Sequence, residues 1–298
     1  MRPLHLFLLV LANVSWAASF SIFKVLSPTL DAGNIVALRY SLAAAILLMS
    51  WPWLPGIAPR GRDLARAIVM GVVVFTISPR LQVAGVQMGK AVDASVLMSF
   101  DPLVVSVAAA IFLREYVGPR RLTGLILSLI GVLLMSEVWR PDFHLPALVA
   151  NALIVLSFVC DATYSVMGKP LVNRAGLFKV LAVAVTSGAI ADFLLDGPSI
   201  MRAVVTLSPG DWLLLVYLAL ICTVAGYSLW FAVIKESPVN CVALTVFIQP
   251  VAGAAIAMAW LGEPLHWEQV VGCLVILTGL MIGLSRQIHH PDRKIQCR

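Results

Sequence analysis

Charge is scarce in this chain. Of 298 residues only 12% are Asp, Glu, Lys or Arg, about half the share of a soluble domain. With 60% hydrophobic residues and a mean hydropathy of +0.96, that scarcity excludes a water-soluble globule. Cysteine chemistry is missing as well. Of five cysteines, Cys160, Cys222 and Cys273 lie inside apolar runs, Cys241 at the edge of one and Cys297 in the tail. No CxxC or Cys/His cluster occurs, so neither a zinc site nor a disulfide framework is indicated, and these thiols are small buried hydrophobes. His144 and His266 fall in outer loops and His289-His290 in the tail, without ligand company, so no metal is expected. There is no HExxH and no serine–histidine constellation, which counts against a membrane-embedded enzyme. Rings of like charge or a filter-like loop, the marks of a channel, are absent too. No cofactor is called for. The net charge of +6 does not point to nucleic acid, because the basic residues sit in short loops between apolar blocks.

What the chain has instead is apolar blocks of roughly 18 to 24 residues, long enough to cross a bilayer as helices. The expected spans are Leu4–Leu26, Ala32–Trp51, Leu64–Val83, Ala91–Leu113 and Leu122–Trp139, then Pro146–Gly168, Leu177–Asp196, Trp212–Ile234, Val239–Leu261 and Trp267–Arg286. Trp51, Trp53, Trp139, Trp212 and Trp267 stand at span ends, where indole rings favour the interface. Pro52, Pro55 and Pro59 break the chain after the second span, and Pro209-Gly210-Asp211 opens the eighth. Arg2, an apolar run and Ala17-Ala18-Ser19 loosely imitate a signal peptide. The run continues through Phe20, Ile22 and Phe23, so an uncleaved first helix is expected.

Lys and Arg are distributed unevenly. With the N-terminus inside, the inner loops hold Arg2, Arg60, Arg62, Arg66, Arg114, Arg120, Arg121, Lys169, Arg174, Lys179, Lys235, Arg286 and the basic tail. The outer loops hold only Lys24, Lys90, Arg140 and Arg202. Positive residues favour the cytoplasmic side, which implies a multi-pass protein of the cell (inner) membrane with both termini inside.

The chain also repeats itself. Ser95–Leu134 recurs as Ala243–Ile282 at a constant offset without a gap. Asp101-Pro102 falls on Gln249-Pro250, Leu113 on Leu261, Glu115 on Glu263, Gly124 on Gly272 and Gly131 on Gly279. Five spans per half is an odd number, so the second half enters the membrane from the opposite face. The expected fold is an all-α integral membrane protein of ten helices in two inverted five-helix repeats, residues 1–140 and 141–288, followed by a basic tail at 289–298. Such folds place solute sites near the midplane between the halves.

Phe247-Ile-Gln-Pro250 through Leu261-Gly-Glu-Pro264, with the glycine-bearing last helix, resembles the EamA-type drug/metabolite transporters. Trp16-Ala-Ala-Ser-Phe20 resembles the opening of that family's repeat. The resemblance covers nearly the whole chain and implies a ten-helix inverted-repeat carrier, usually an exporter of amino acids or related metabolites and often proton-coupled. The first half departs from the family pattern: Asp101 stands where a neutral residue is common, and Arg114-Glu115-Tyr116 replaces the commoner Gly-Glu. The terminal helix of each half also resembles the last helix of small multidrug resistance transporters. Gly124 and Gly131 lie two turns apart on one face, and Gly279 and Gly283 form a GxxxG. These glycines fit packing between the halves or contact between protomers, so monomer and homodimer both stay open.

Charges inside a membrane are functional candidates by default. Asp101 precedes Pro102, whose missing N–H frees a carbonyl one turn back. Such an acid binds a proton or a substrate ammonium, or else forms a fixed ion pair with Arg80 or Arg39. Its repeat mate Gln249 cannot titrate. Asp161 is a second proton-coupling candidate, and Asp192 lies toward the outer end of the seventh span. Arg39 and Arg80 suit carboxylate recognition through the guanidinium fork; the alternative is a salt bridge to Asp93 or Asp101. Pro79 predicts a kink beside Arg80, as Pro102 and Pro250 do in the fourth and ninth spans. Trp16, Phe20, Tyr164, Tyr227 and Trp230 either line a cavity or pack, and Asn13 is a polar candidate of similar weight. Glu115 and Glu263 read as caps or loop anchors. The partners expected are a small-molecule solute and the lipid bilayer, with no nucleic acid. Export of amino acids or amino-acid-derived metabolites leads; a multidrug-type exporter of cationic or lipophilic compounds is the alternative.

Overall fold

The computed structural model describes residues 3–101, 103–104, 107, 119–135, 145–230, 246 and 248–284. Pro102, Arg114-Glu115-Tyr116, Trp139, Lys235, Phe247 and the tail at 289–298 lie outside the described residues. In chain order the helices are α1 (Pro3–Leu26), α2 (Ala32–Met49), α3 (Arg62–Met88), α4 (Ala91–Leu97, extended by a 3₁₀ turn at Met98–Phe100) and α5 (Pro119–Met135). They continue with α6 (Leu145–Arg174), α7 (Leu177–Thr206), α8 (Pro209–Trp230), α9 (Ile248–Leu261) and α10 (Trp267–Leu284). No strand occurs among the described residues. Helices α1, α2, α3, α6, α7 and α8 are long and apolar enough to cross a bilayer; α4, α5, α9 and α10 contribute shorter apolar stretches. The protein is an all-α integral membrane protein, and each of the ten expected spans overlaps one of these helices.

Local chemistry sets the ends. Asp31 caps α2 by accepting from the Asn34 N–H at 2.7 Å. Ser208 and Asp211 form a reciprocal capping box at α8, which satisfies two otherwise orphaned groups. The ammonium of Lys24 donates to the carbonyls of Val86, Gln87 and Gly89 at 3.3, 3.2 and 2.6 Å, closing the C-terminal end of α3. Glu263 accepts from the N–H groups of Ala91 and Val92 at 3.2 and 2.9 Å, so it anchors the start of α4 from the other half. Gly262 makes the turn after α9 with φ of 67°, a left-handed conformation glycine adopts without steric cost. Helix α7 overruns its expected end: the backbone kinks at Asp196 (φ −126°, ψ 15°), ahead of Pro198, and resumes to Thr206.

Close approach of backbones holds the bundle together, as expected where lipid removes a hydrophobic drive between helices. Gly71 of α3 lies against Ala184 and Ser187 of α7, and Gly85 against Ala150 and Ile154 of α6. Gly131 of α5 and Gly272 of α10 face each other, each turned to the other's carbonyl, while Gly279 packs on Ser128 and the Gly124 carbonyl. These terminal-helix glycines therefore pack within one chain.

Many of the helix contacts among the described residues pair off under one exchange, although α2·α3 and α4·α10 have no counterpart of similar extent. If α1–α5 are renamed α6–α10 and the reverse, the pairs α2·α7, α4·α9 and α5·α10 map onto themselves. The contacts α3·α6 and α1·α8 exchange, as do α3·α7 with α2·α8 and α1·α9 with α4·α6. The two long helices α3 and α8 also share an irregularity. Each contains a π-helical stretch, Val73–Ile77 and Leu218–Ala225, and the repeat offset carries the first onto residues 221–225 inside the second. A π stretch inside an α-helix is rare and is frequent at functional sites.

Candidate solute site

A cavity of about 180 Å³ lies between the halves, with Val74 of the α3 π stretch in its wall and Tyr227 and Trp230 reaching it from just beyond the α8 stretch. Its walls include Trp16 and Phe20 of α1, Arg39 and Tyr40 of α2, Ser78, Pro79 and Gln82 of α3, and Met98 and Asp101 at the α4 end. The second half supplies Asp161 and Tyr164 of α6, Tyr227 and Trp230 of α8, Val246, and Gln249 of α9.

Arg39 is the cation of this cavity. It is buried, at 5% exposure, and its Nε donates to Thr223 Oγ1 at 3.0 Å. The Thr223 hydroxyl donates in turn to the Leu218 carbonyl at 2.9 Å, five residues back along the π stretch. The guanidinium carbon lies 4.9 Å from the Tyr40 ring centroid and 5.9 Å from that of Phe23, within cation–π range. No carboxylate forms an ion pair with Arg39 among the described residues.

The acids stand elsewhere on the wall. Asp161 accepts a hydrogen bond from Ser78 Oγ at 2.7 Å, and the same hydroxyl lies 3.1 Å from the Ser157 carbonyl. Ser78 directly follows the α3 π stretch and precedes Pro79. Asp101 lies within electrostatic reach of Asp161, and Asp161 within reach of Arg39. Neither arginine forms the fixed pair with Asp101 that the sequence left open.

Aromatic rings complete the enclosure. Trp16 donates from Nε1 to the Cys222 carbonyl at 2.7 Å and packs on Tyr227 and Trp230 at 5.7 and 5.6 Å between centroids. Gly226 permits this seat, since a Cβ there would meet Trp16 Nε1 at 2.9 Å. Phe75, fully buried, joins Tyr40, Tyr164 and Tyr227 at 5.3, 6.3 and 5.4 Å. These edge-to-face contacts fix the rings' orientation.

Asn13 sits behind the wall. Its Nδ2 donates to the Leu9 carbonyl at 2.8 Å, and its Oδ1 accepts from Gln249 Nε2 at 2.6 Å. Pro250 is buried beside Gln249 at the start of α9.

Arg80 is not gathered into this cavity. Its Nε lies 2.7 Å from Asp192 Oδ1 and its Nη1 2.6 Å from Asp196 Oδ2. Of the two carboxylate-recognition candidates, Arg39 lines the cavity and Arg80 does not; Arg80 forms a salt bridge, but with Asp192 and Asp196 rather than the expected Asp93 or Asp101. Successive helical residues point about 100° apart, so where Pro79 faces the cavity, Arg80 turns to α7. Asp93, the other expected partner, instead accepts from Gln269 Nε2 at 2.7 Å. Sequence reasoning missed Thr223, Ser78, Tyr40, Phe75 and Gln82. The repeat offset pairs Ser78 with Gly226, but nothing in residue type announced the π stretches. Among the described residues no three His, Cys, Asp or Glu side chains cluster as metal ligands.

A helical membrane bundle thus encloses a small, charged and aromatic-walled cavity. The EamA-like transporter family model matches twice, at residues 4–137 and 148–284. The chain belongs to that family. It is 27% identical over 292 residues to a probable amino-acid metabolite efflux pump of Salmonella typhimurium, covering 93% of this chain and 94% of that protein. It is 25% identical over 294 residues to a probable terminal-alkyne amino-acid exporter of Streptantibioticus cattleyicolor, covering 96% and 97%. An uncharacterized transporter of Archaeoglobus fulgidus is 26% identical over 283 residues, covering 94% and 97%. A solved crystal structure shares the fold with a TM-score of 0.61 at 14% identity, covering 96% of this chain and 99% of that one.

Proposed function

We propose that the protein is a secondary active exporter of amino acids or amino-acid-derived zwitterionic metabolites, working by alternating access. One observation carries this reading: a single cavity presents Arg39, which has no ion-pair partner among the described residues, together with Asp101 and Asp161. Arg39 takes the solute carboxylate through its fork, an acid takes the ammonium, and the rings of Trp16, Phe20, Tyr164, Tyr227 and Trp230 take the side chain. Gln249, held by Asn13, adds a hydrogen-bonding group. The names of the efflux-pump and amino-acid-exporter relatives support the same class. The contacts that exchange between the halves, with five spans expected per half, support two inverted five-helix repeats, 1–140 and 141–288, rocking about this cavity. The bias of Lys and Arg supports an inner-membrane orientation with both termini cytoplasmic. Because α5 and α10 occupy each other's glycine faces, a monomer suffices.

Asp101 is the proton-coupling group in this scheme, with Asp161 tied to Ser78 beside it. A proton moves the equilibrium between inward and outward states only by binding them unequally. The test is amino-acid flux in proteoliposomes under an imposed pH gradient. Gradient-driven flux should vanish in Asp101→Asn while solute exchange persists; unchanged driven flux in that variant removes Asp101 from coupling. The multidrug alternative is disfavoured by a buried arginine and by a volume below the ~300–1,000 Å³ of drug-sized pockets. Tighter binding of a lipophilic cation than of a zwitterionic amino acid reverses the assignment.

A further inference from the structure

A second concavity lies on the lipid side of the bundle. A groove of about 780 Å³ runs between α2 (Leu48), the turn that follows it (Trp51, Pro52), α3 (Ile68, Val72) and α7 (Val183 to Leu194). Among the described residues Thr186 and Ser187 bring the only hydroxyls to its walls, and the Ser187 hydroxyl is turned back to the Ala184 carbonyl at 2.9 Å. Leu48, Ile68, Ile190 and Leu194 are exposed along its rim. Ser187 of its wall also packs on Gly71 of α3, in the close α3–α7 contact that includes Ala184.

We propose that this groove is a binding site for one acyl chain of an anionic phospholipid, whose headgroup is held by Lys179. Three observations agree on that occupant. From Val183 to Leu194 the wall extends about 17 Å at 1.5 Å per residue, close to half of the ~30 Å hydrocarbon core and so to one leaflet. Its mouth carries an interfacial indole, Trp51, with the Lys179 ammonium 5.3 Å from the ring centroid. Lys179 forms no ion pair among the described residues. Among the described residues the same end of the bundle carries Arg62, Arg66 and Arg174 beside Asp63, which already pairs with Arg66 and Arg174 at 3.4 and 3.6 Å. The Gly176 N–H bonds the Ile57 carbonyl at 2.8 Å, which ties the α2–α3 loop to the start of α7 beneath the groove. A cation one turn below an apolar trough at interface level suits a phosphate without a compensating ammonium. Because α2 and α3 belong to one half and α7 to the other, a bound chain bridges the two.

Purified protein titrated in detergent with phosphatidylglycerol or phosphatidylcholine of equal chain length, read by native mass spectrometry, tests the site. Phosphatidylglycerol should bind about fivefold more tightly, the factor one lysine contributes near an anionic surface. Lys179→Gln should erase that preference and Lys179→Arg keep it. Ala191→Phe, which fills the trough, should lower the occupancy of both lipids, with retained thermal midpoints establishing that the variants fold. Equal binding of both lipids to the parent protein, or a preference that survives Lys179→Gln, overturns the proposal. The readout is lipid occupancy, so it stands or fails independently of the solute.

Discussion

Arg80 and Asp192 meet at 2.7 Å, the aspartate fully buried and the arginine about one quarter exposed. This pair joins α3 of one half to α7 of the other, and the kinked Asp196 joins it through Nη1 at 2.6 Å. Removing one member of a buried pair strands the other and costs about 3–5 kcal/mol; the partial exposure of Arg80 lowers this to roughly 2–3 kcal/mol. Asp192→Ala should therefore lower the thermal midpoint in detergent by several degrees. Arg80→Lys should fall between it and the parent protein. A midpoint unchanged in Asp192→Ala contradicts a structural role for the pair.

Arg39 supplies the fork in the cavity, so charge alone should not replace it. Arg39→Lys retains a cation but loses the parallel donors and the Nε bond to Thr223. A hydrogen bond to a charged group contributes about 1.5–3 kcal/mol, so solute affinity should fall roughly 10- to 150-fold by isothermal titration. Thr223→Val should give a smaller loss, because it frees the guanidinium without removing it. Wild-type affinity in Arg39→Lys means that the solute carboxylate lies elsewhere.

Asp161 and Asp101 should separate under acidification. Asp161 accepts from Ser78 at 2.7 Å, whereas Asp101 has no hydrogen bond to a described residue. Asp101→Asn mimics the protonated acid permanently. Solute exchange in that variant should be flat across the pH range in which the parent protein varies, while Ser78→Ala should retain the pH response with a displaced midpoint. Radiolabelled counterflow at matched internal and external pH reads both. An undiminished pH response in Asp101→Asn assigns the proton to another group.

The α5–α10 seam should be intolerant of volume. A Cβ on Gly131 would stand 2.8 Å from the Gly272 carbonyl oxygen and 2.7 Å from Ile276 Cγ1. Overpacking of this kind costs about 1–3 kcal/mol. Gly131→Val should reduce the thermal midpoint, and Gly124→Val, on the same face, should behave alike. Tolerance at Gly131 would mean the seam opens freely in the membrane.

Glu263 reaches across the halves to the first two N–H groups of α4. Glu263→Ala removes a charged cap and should destabilise by about 1 kcal/mol. Glu263→Gln should retain part of the effect through its neutral carbonyl. Amide exchange at Ala91 and Val92 is the local readout and should accelerate in the alanine variant.

Apolar length made most of the helices legible. Leu4–Leu26, Ala32–Trp51 and Trp267–Arg286 differ from the observed segments by only a few residues, because a bilayer imposes one length on all of them. α7 was harder: Asp196-Gly197-Pro198 carries every mark of a helix end, yet the chain merely kinks there. Arg39, Asp101 and Asp161 stood out because a charge in an apolar run is costly. Arg80 stood out for the same reason, but whether a charge faces a cavity or a partner is set by rotation about the helix axis. Two π stretches alter that rotation and leave no mark in composition. Thr223 and Ser78 were invisible for a related cause, since a hydroxyl in a helix usually bonds its own backbone, and here Thr223 also accepts from Arg39.

The twin π stretches give each half custody of one charge. Thr223, inside the α8 stretch, steadies the cation, and Ser78, at the close of the α3 stretch, steadies Asp161. Restoring ordinary α-helical pairing in either stretch would swing its neighbours by about one residue's rotation, near 100°, and withdraw one hand from whatever is held. A molecule with opposite charges at its two ends would register the loss from either direction. A singly charged molecule would register only one.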